Sequence, residues 1–434
     1  MNEEEIAIMQ KSYNELLVTY QNKEFEKLLI DSKNFFKKYP KNIYGANILA
    51  LAYKNNGNYE KSIELYKLMM DSGTTETSIY TNAGNTYHSI GKMTESLECH
   101  KKALEIDPNS IGSLTGCGLV LSNSGKDDDA IEYYKKIPKI DEKATSAYYN
   151  IGNILRNQKK YKEAAKYYSK HPTKISKAQE LECYYRIDDI DSYDENLKKF
   201  EEKFGSSPLP ATISAHASIK YSRKDECNFA PNAFELIEKK DLFELDNFDK
   251  NFINEFVSEF NDLAVAKKTQ SLIKNGFQSS GNLFLHKKNT FKVMYNLIEK
   301  EINAYREKFS KTGYKIFSDW PSDYEIYGWM IMIGNEGSLG AHMHKEGWLS
   351  GSIYINIPEK EEGSLEGDIR FSLHGGAYDD GGTEFPEKVE NLRTGNMVLF
   401  PSSLFHSTIP FRSSKNRITL AFDVRPPDLD IKVE

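Results

Sequence analysis

Three of the nine histidines in this 434-residue chain have a layout that could do chemistry. His342 and His344 stand two apart in AHMHKEGWLSGSIYI, and His406 lies in FPSSLFHSTIP. On an extended strand, residues i and i+2 point the same way. His342 and His344 can therefore present two imidazoles to one point. His406 follows the strand-like run NMVLFP, so a neighbouring strand can bring a third. Three nitrogen donors on one side of an ion leave the remaining coordination positions open for a co-substrate and dioxygen, the arrangement of a non-heme iron centre. Arg417 and Thr419 come next and share one face of the run RITL. A guanidinium inside a barrel needs an anionic partner. The carboxylate of a bound acid would meet it bidentately, with Thr419 adding a hydrogen bond.

These residues need a β framework, and the sequence provides one. From about Tyr314 the apolar pattern becomes short runs rich in Ile, Val, Tyr and Phe: YEIYGWMIMI, LSGSIYINI, DIRFSL, NMVLFP and RITLAFDV, with glycine and proline clusters between them. That pattern predicts a small antiparallel barrel or jelly roll. The stretch from Phe234 to Phe309, with LIEKKDL, FDKNFINEFVSEFNDLAVAKK and FKVMYNLIEKEINAYREKF, reads as helices that brace the barrel. GSSPLPATISAHAS, from Gly205, reads as a linker.

The N-terminal half repeats. Ala50, Gly84, Gly118 and Gly152 recur every 34 residues; so do Gly57, Gly91, Gly125 and Lys159, and Ser62, Ser96, Ala130 and Ala164. Each period holds two helices, with small residues where the helices must approach closely. This resembles the tetratricopeptide (TPR) repeat, strongly over residues 42–177 and more weakly over 8–41, where Lys23 takes the place of the turn glycine. Ala178–Phe204 reads as a degenerate terminal unit or cap. Stacked repeats form a solenoid with a concave binding face. Asn82, Asn85, Asn150 and Asn153 fall on first helices and are candidates for hydrogen bonding to a protein or peptide partner; ordinary repeat consensus is the competing explanation.

Composition narrows the function classes. Lys plus Arg is 57 and Asp plus Glu is 64, a net charge of −7, which argues against nucleic acid as a partner. No apolar run approaches the roughly 20 residues of a membrane span. The acidic N-terminus lacks a signal-peptide pattern, so a cytoplasmic protein is expected. Cys99, Cys117, Cys183 and Cys227 are scattered without a CxxC pair, so a metal site would use histidine and oxygen donors.

The C-terminal motifs His342–Pro358, Gly395–Phe411 and Arg417–Val424 resemble the 2-oxoglutarate and Fe(II)-dependent oxygenases, most of all a bacterial branch carrying TPR repeats ahead of a double-stranded β-helix. The resemblance implies a multidomain α + β protein: an α-solenoid over 1–177 (about five repeats), a terminal helix or cap and linker over 178–232, and a helical brace plus double-stranded β-helix (jelly roll, cupin-like) over 233–434. It implies Fe(II), 2-oxoglutarate and O2, with oxidative decarboxylation to succinate and CO2 coupled to hydroxylation of a C–H bond. By position, His342 matches the first iron histidine and His406 the distal one. Arg417 with Thr419 matches the pair holding the far carboxylate of 2-oxoglutarate, and Tyr354 a co-substrate contact. The family carries Asp or Glu two residues after its first histidine, and here His344 stands there. Three ligand sets follow: His342, His344 and His406; His344 with Glu346 as the His-x-acid pair, His342 lying outside; or His342 and His406 alone. The first is preferred. Two other functions compete: a three-His dioxygenase without 2-oxoglutarate, against which Arg417 and Thr419 speak, and a TPR adaptor with a metal-free jelly roll. The remaining histidines (His88, His100, His171, His216, His286 and His374) read as structural.

Overall fold

The computed structural model describes residues 3–245, 248–263, 265–286 and 288–427. They form two compact units, Met1–His171 and Pro172–Glu434.

The first unit is a helical array. Its described helices pair as Glu3–Gln21 with Phe25–Lys38, Ile43–Asn55 with Tyr59–Asp71, Thr77–Ser89 with Met93–Ile106, Ile111–Asn123 with Asp127–Ile140, and Ser146–Asn157 with Tyr161–Tyr168. The 34-residue period is a packing rule. Tyr66, His100, Tyr134 and Tyr168 share one position of the period, and each is at most 2% exposed. A Cβ added to Gly84, Gly118 or Gly152 would come within 2.7 Å of the ring at position 100, 134 or 168. The glycine column is therefore the slot into which the ring column fits. Turns between paired helices use the left-handed backbone at Gly57, Gly91 and Gly125 (φ 73 to 76°). Lys23 and Lys159 adopt the same region at φ 58° and 59°, at the conformational cost a side chain carries there.

The second unit opens with a helical hairpin, Lys174–Arg186 and Ile190–Phe204. The stretch expected to be a linker is instead the helix Pro208–Lys220, with Leu209, Ile213 and Ala217 buried. Pro208 sits in its first turn, where a missing N–H costs nothing because that donor has no intrahelical partner. The proline-rich start therefore conceals an i, i+4 apolar stripe. Further helices are Lys250–Asn261 and Asn289–Phe309.

Strands, in chain order, are β1 (Glu238–Asp241), β2 (Lys267–Lys268), β3 (Ile273–Ser279), β4 (Glu325–His342), β5 (Leu349–Asn356), β6 (Ile369–Ser372), β7 (Glu387–Glu390), β8 (Asn396–Pro401), β9 (Phe405–Thr408) and β10 (Arg417–Arg425). The expectation of a helix at LIEKKDL fails: β1 lies within it and pairs antiparallel with β8, Glu238 opposite Leu399. Pairing along the open edge of β8 outweighs local helical spacing. The sheet order is β1-β8-β5-β10-β4-β9-β6-β7, with β3 also on β4. It curls into a nearly closed antiparallel barrel of jelly-roll type. Alternation along β10 sorts its residues between two environments. Leu420, Phe422 and Val424 belong to the apolar core that also holds Ile298, Ile302 and Tyr305 of the 289–309 helix. Arg417, Thr419, Ala421 and Asp423 line a cavity on the other face. Each large apolar side chain buried in that core contributes about 1.5–3 kcal/mol, which holds β10 and its polar face in place.

Candidate metal and co-substrate site

His342 ends β4, and its Cα pairs directly with that of His406 on β9. The two rings lie 4.3 Å apart between centroids. His344 stands past the end of β4, in the following turn, where its backbone N–H donates to Ser402 O at 3.1 Å. The turn swings its ring back, so that His344 Nε2 lies 3.2 Å from His342 Nε2. Each of the three offers a nitrogen within 4.8 Å of the other two. The strand periodicity that suggested convergence is thus only half of the cause, and the turn supplies the rest. Glu346 stays outside this group and makes an ion pair with Arg425 at 3.5 Å.

The far side of each ring is tethered. His342 Nδ1 bonds Gly340 O at 2.8 Å, and His406 Nδ1 bonds Leu404 O at 3.3 Å. His344 Nδ1 bonds Asp423 Oδ1 at 2.6 Å. With an acceptor at each Nδ1, the proton belongs there and Nε2 keeps its lone pair, which is how ligating imidazoles are oriented. Burial, followed by the neighbouring His344, lowers the His342 pKa to about 4. Burial, with His342 and His344 adding to it, puts His406 well below the usual histidine value. Both rings are neutral at pH 7, the form that binds metal.

Asp423 was not among the residues singled out from the sequence. It is 1% exposed. Burial opposes its charge, yet His344, Arg425 and Ser350 together hold its carboxyl below the usual range. Ser350 Oγ donates to Asp423 Oδ1 at 2.7 Å and shares a hydrogen bond with Ser402 Oγ at 2.7 Å. A signal was present: Asp423 has the same strand parity as Arg417 and Thr419.

Arg417 is 3% exposed. Its Nε donates to Gly367 O at 3.0 Å and its Nη1 to Thr419 Oγ1 at 2.8 Å. Among the described residues no carboxylate makes an ion pair with it. Burial lowers its pKa, offset in part by Tyr354 and the more distant Asp368. Thr419 pairs with Tyr354 across β5, and the Tyr354 ring centroid lies 5.1 Å from the guanidinium carbon. The Tyr354 hydroxyl is buried and makes no hydrogen bond of good geometry. Arg417, Thr419, Tyr354 and the three histidines line one cavity of about 1050 Å³. The groups present suit a divalent ion beside a small acid: three converged imidazoles, a buried cation that no described carboxylate pairs, and an unsatisfied hydroxyl.

Other candidates disperse. Trp348, in the loop after the histidine pair, is 4% exposed and donates from its indole to Ile316 O at 2.8 Å. In the array, Asn82 donates to Asn47 at 3.0 Å and Asn153 accepts from Tyr168 at 2.8 Å. Asn85 is exposed and Asn150 half-buried.

Residues 327–423 match the family model described as "Putative 2OG-Fe(II) oxygenase", an interval that holds the three histidines and runs from Tyr327 on β4 to Asp423 on β10. Residues 78–110, and 46–68 with 145–170, match tetratricopeptide repeat models. The family models thus show TPR repeats in the first unit and, at the C-terminus, a domain matching the "Putative 2OG-Fe(II) oxygenase" model. The family implies Fe(II), 2-oxoglutarate and O2, and the histidine cluster is one that could bind iron. TPR repeats generally mediate protein–protein interaction. No curated protein matches the chain. Among solved structures, PilF of Pseudomonas aeruginosa is 15% identical over 48% of this chain and 96% of its own, with a TM-score of 0.40. MamA is 24% identical over 35% and 89%, at 0.32. YrrB, described as a TPR protein with an unusual peptide-binding site, is 16% identical over 37% and 82%, at 0.31. Among the described residues no helix is long and apolar enough to cross a membrane.

Proposed function

We propose that the C-terminal unit is a 2-oxoglutarate- and Fe(II)-dependent hydroxylase, with His342, His344 and His406 as the iron ligands. The observation that carries this reading is the placement of Arg417: a buried guanidinium with no carboxylate ion pair among the described residues, in the same cavity as three converged imidazoles. Bound iron would supply dioxygen activation, coupled to oxidative decarboxylation of 2-oxoglutarate and hydroxylation of a substrate C–H bond. The protein's part is positioning. Arg417 receives the far carboxylate as a fork, Thr419 and the Tyr354 hydroxyl add hydrogen bonds, and the enclosing strands keep water from the anion. The substrate is a protein or peptide, or another C–H-bearing molecule, recognised with help from the array and handled in the cytoplasm.

Anaerobic addition of Fe(II) and then 2-oxoglutarate should produce a charge-transfer absorption band, and admitting O2 should release succinate. Both signals should vanish in His406→Ala. If neither appears in the wild type, the reading is wrong. The all-nitrogen donor set favours one alternative, a three-His dioxygenase that does not use 2-oxoglutarate. Dioxygen consumption without succinate would select it.

A further inference from the structure

The three tethers behind the imidazoles are unequal. His342 and His406 lean on backbone carbonyls, which are neutral. His344 leans at 2.6 Å on a side-chain carboxylate that is itself buried. Three neutral imidazoles would leave a divalent ion's charge uncompensated inside the protein. The acid nearest in sequence, Glu346, is turned to Arg425. Asp423 is the acid hydrogen-bonded to a member of the triad.

We infer that Asp423 is the site's carboxylate at one remove: a positioning residue that fixes the Nδ1–H tautomer of His344 and passes its negative charge to the metal through that imidazole. The inference rests on the proposed iron site and extends it by making His344 the strongest electron donor of the three. The side-chain network supports this. Ser350 donates to Asp423 Oδ1, and its link to Ser402 reaches the end of β8, where the Ser402 carbonyl also holds the His344 backbone. One cluster therefore sets both the position of His344 and the direction of its ring. Nothing in this arrangement requires Asp423 to touch the ion.

The test is anaerobic Fe(II) titration of the full-length protein, followed by the charge-transfer band with 2-oxoglutarate. Asp423→Asn preserves shape and removes charge. It should weaken Fe(II) binding about 10–100-fold, the usual cost of losing such a partner, and move the band to higher energy. Ser350→Ala keeps the charge and removes one of its donors, so the band should move the other way, to lower energy. In a His344→Asp background the effect of Asp423→Asn should reverse. Two carboxylates would then adjoin, and neutralising one should tighten Fe(II) binding. A merely structural Asp423 would weaken binding equally in both backgrounds, and that result overturns the inference. So does unchanged affinity in Asp423→Asn while His406→Ala loses iron, an outcome that leaves the hydroxylase reading standing. If the wild type takes up no Fe(II), both fall. Should Asp423→Asn lose its cooperative melting transition, the opposite shift in Ser350→Ala decides alone, and a band that does not move rejects the inference.

Discussion

The helical array and the barrel each bury histidine, and they do so differently. His100 is 0% exposed. It fills the ring slot of its repeat, and a Cβ on Gly84 or Gly116 would come within 2.7 or 2.3 Å of it. Neither of its nitrogens has a hydrogen-bond partner. Burial, followed by His88, lowers its pKa to about 4. His342 has a pKa lowered to the same region and for the same first reason. Burial and a depressed pKa therefore do not separate a packed ring from a prepared ligand. What separates them is the tether: Nδ1 tied back, Nε2 turned toward two others. Tyr66, Tyr134 and Tyr168 stand where His100 does in three of the other repeats, so the slot there takes a flat ring and makes no use of its nitrogens.

The sharpest way to break the comparison is to remove one ring of each kind. His406→Ala should lower iron content and succinate formation by more than about 100-fold, beyond the range of outer-shell changes. His100→Tyr should leave both unchanged. Equal iron content in His406→Ala and wild type would erase the distinction.

The next largest effect belongs to Arg417. Arg417→Met should weaken 2-oxoglutarate binding by about 2–5 kcal/mol, the cost of truncating one member of a buried charge pair. Without ligand the same change should raise the melting temperature, since it removes a buried cation that has no acid. A variant that loses 2-oxoglutarate binding and also melts lower would show that Arg417 serves the fold.

A smaller effect concerns pH. An unfolded histidine titrates near 6.5, and His100 in the fold near 4. Between those values the unfolded chain binds more protons, so stability rises with pH there and falls as pH drops from 6.5 toward 4. The full span is about 3 kcal/mol. His342 and His406 contribute in the same direction while metal-free. The difference between wild type and His100→Tyr isolates the array's share. Denaturant melts at several pH values should show a flatter slope for the variant. Identical slopes would mean that His100 is not held neutral by its slot.

The smallest effect is expected at the exposed array surface. Asn85→Ala should change stability by less than about 0.5 kcal/mol, because its side chain is exposed. Any larger consequence should appear only as weaker retention of a peptide partner.

Much of this was legible beforehand. The array could be read because each repeat packs on its neighbours, so its rule returns every 34 residues. The strands could be read because short runs rich in Ile, Val, Tyr and Phe lie between glycine and proline clusters, and the histidine layout pointed to one locus. Two local readings failed where long-range contact outweighed propensity. Residues 208–220 form a buried helix despite a proline-rich start, and LIEKKDL contributes an edge strand because β8 offers it a partner.

The sequence by itself determined the period of the array, the class of the barrel and the residues from which a site could be built. The tertiary structure decided how they are used. It placed His344 rather than Glu346 beside His342 and His406, because a turn after β4 is pinned to Ser402. It left Arg417 without a carboxylate among the described residues. It also set Asp423 behind His344, a partner 79 residues away. Strand register makes that pairing, and register depends on the whole sheet rather than on any local run of residues.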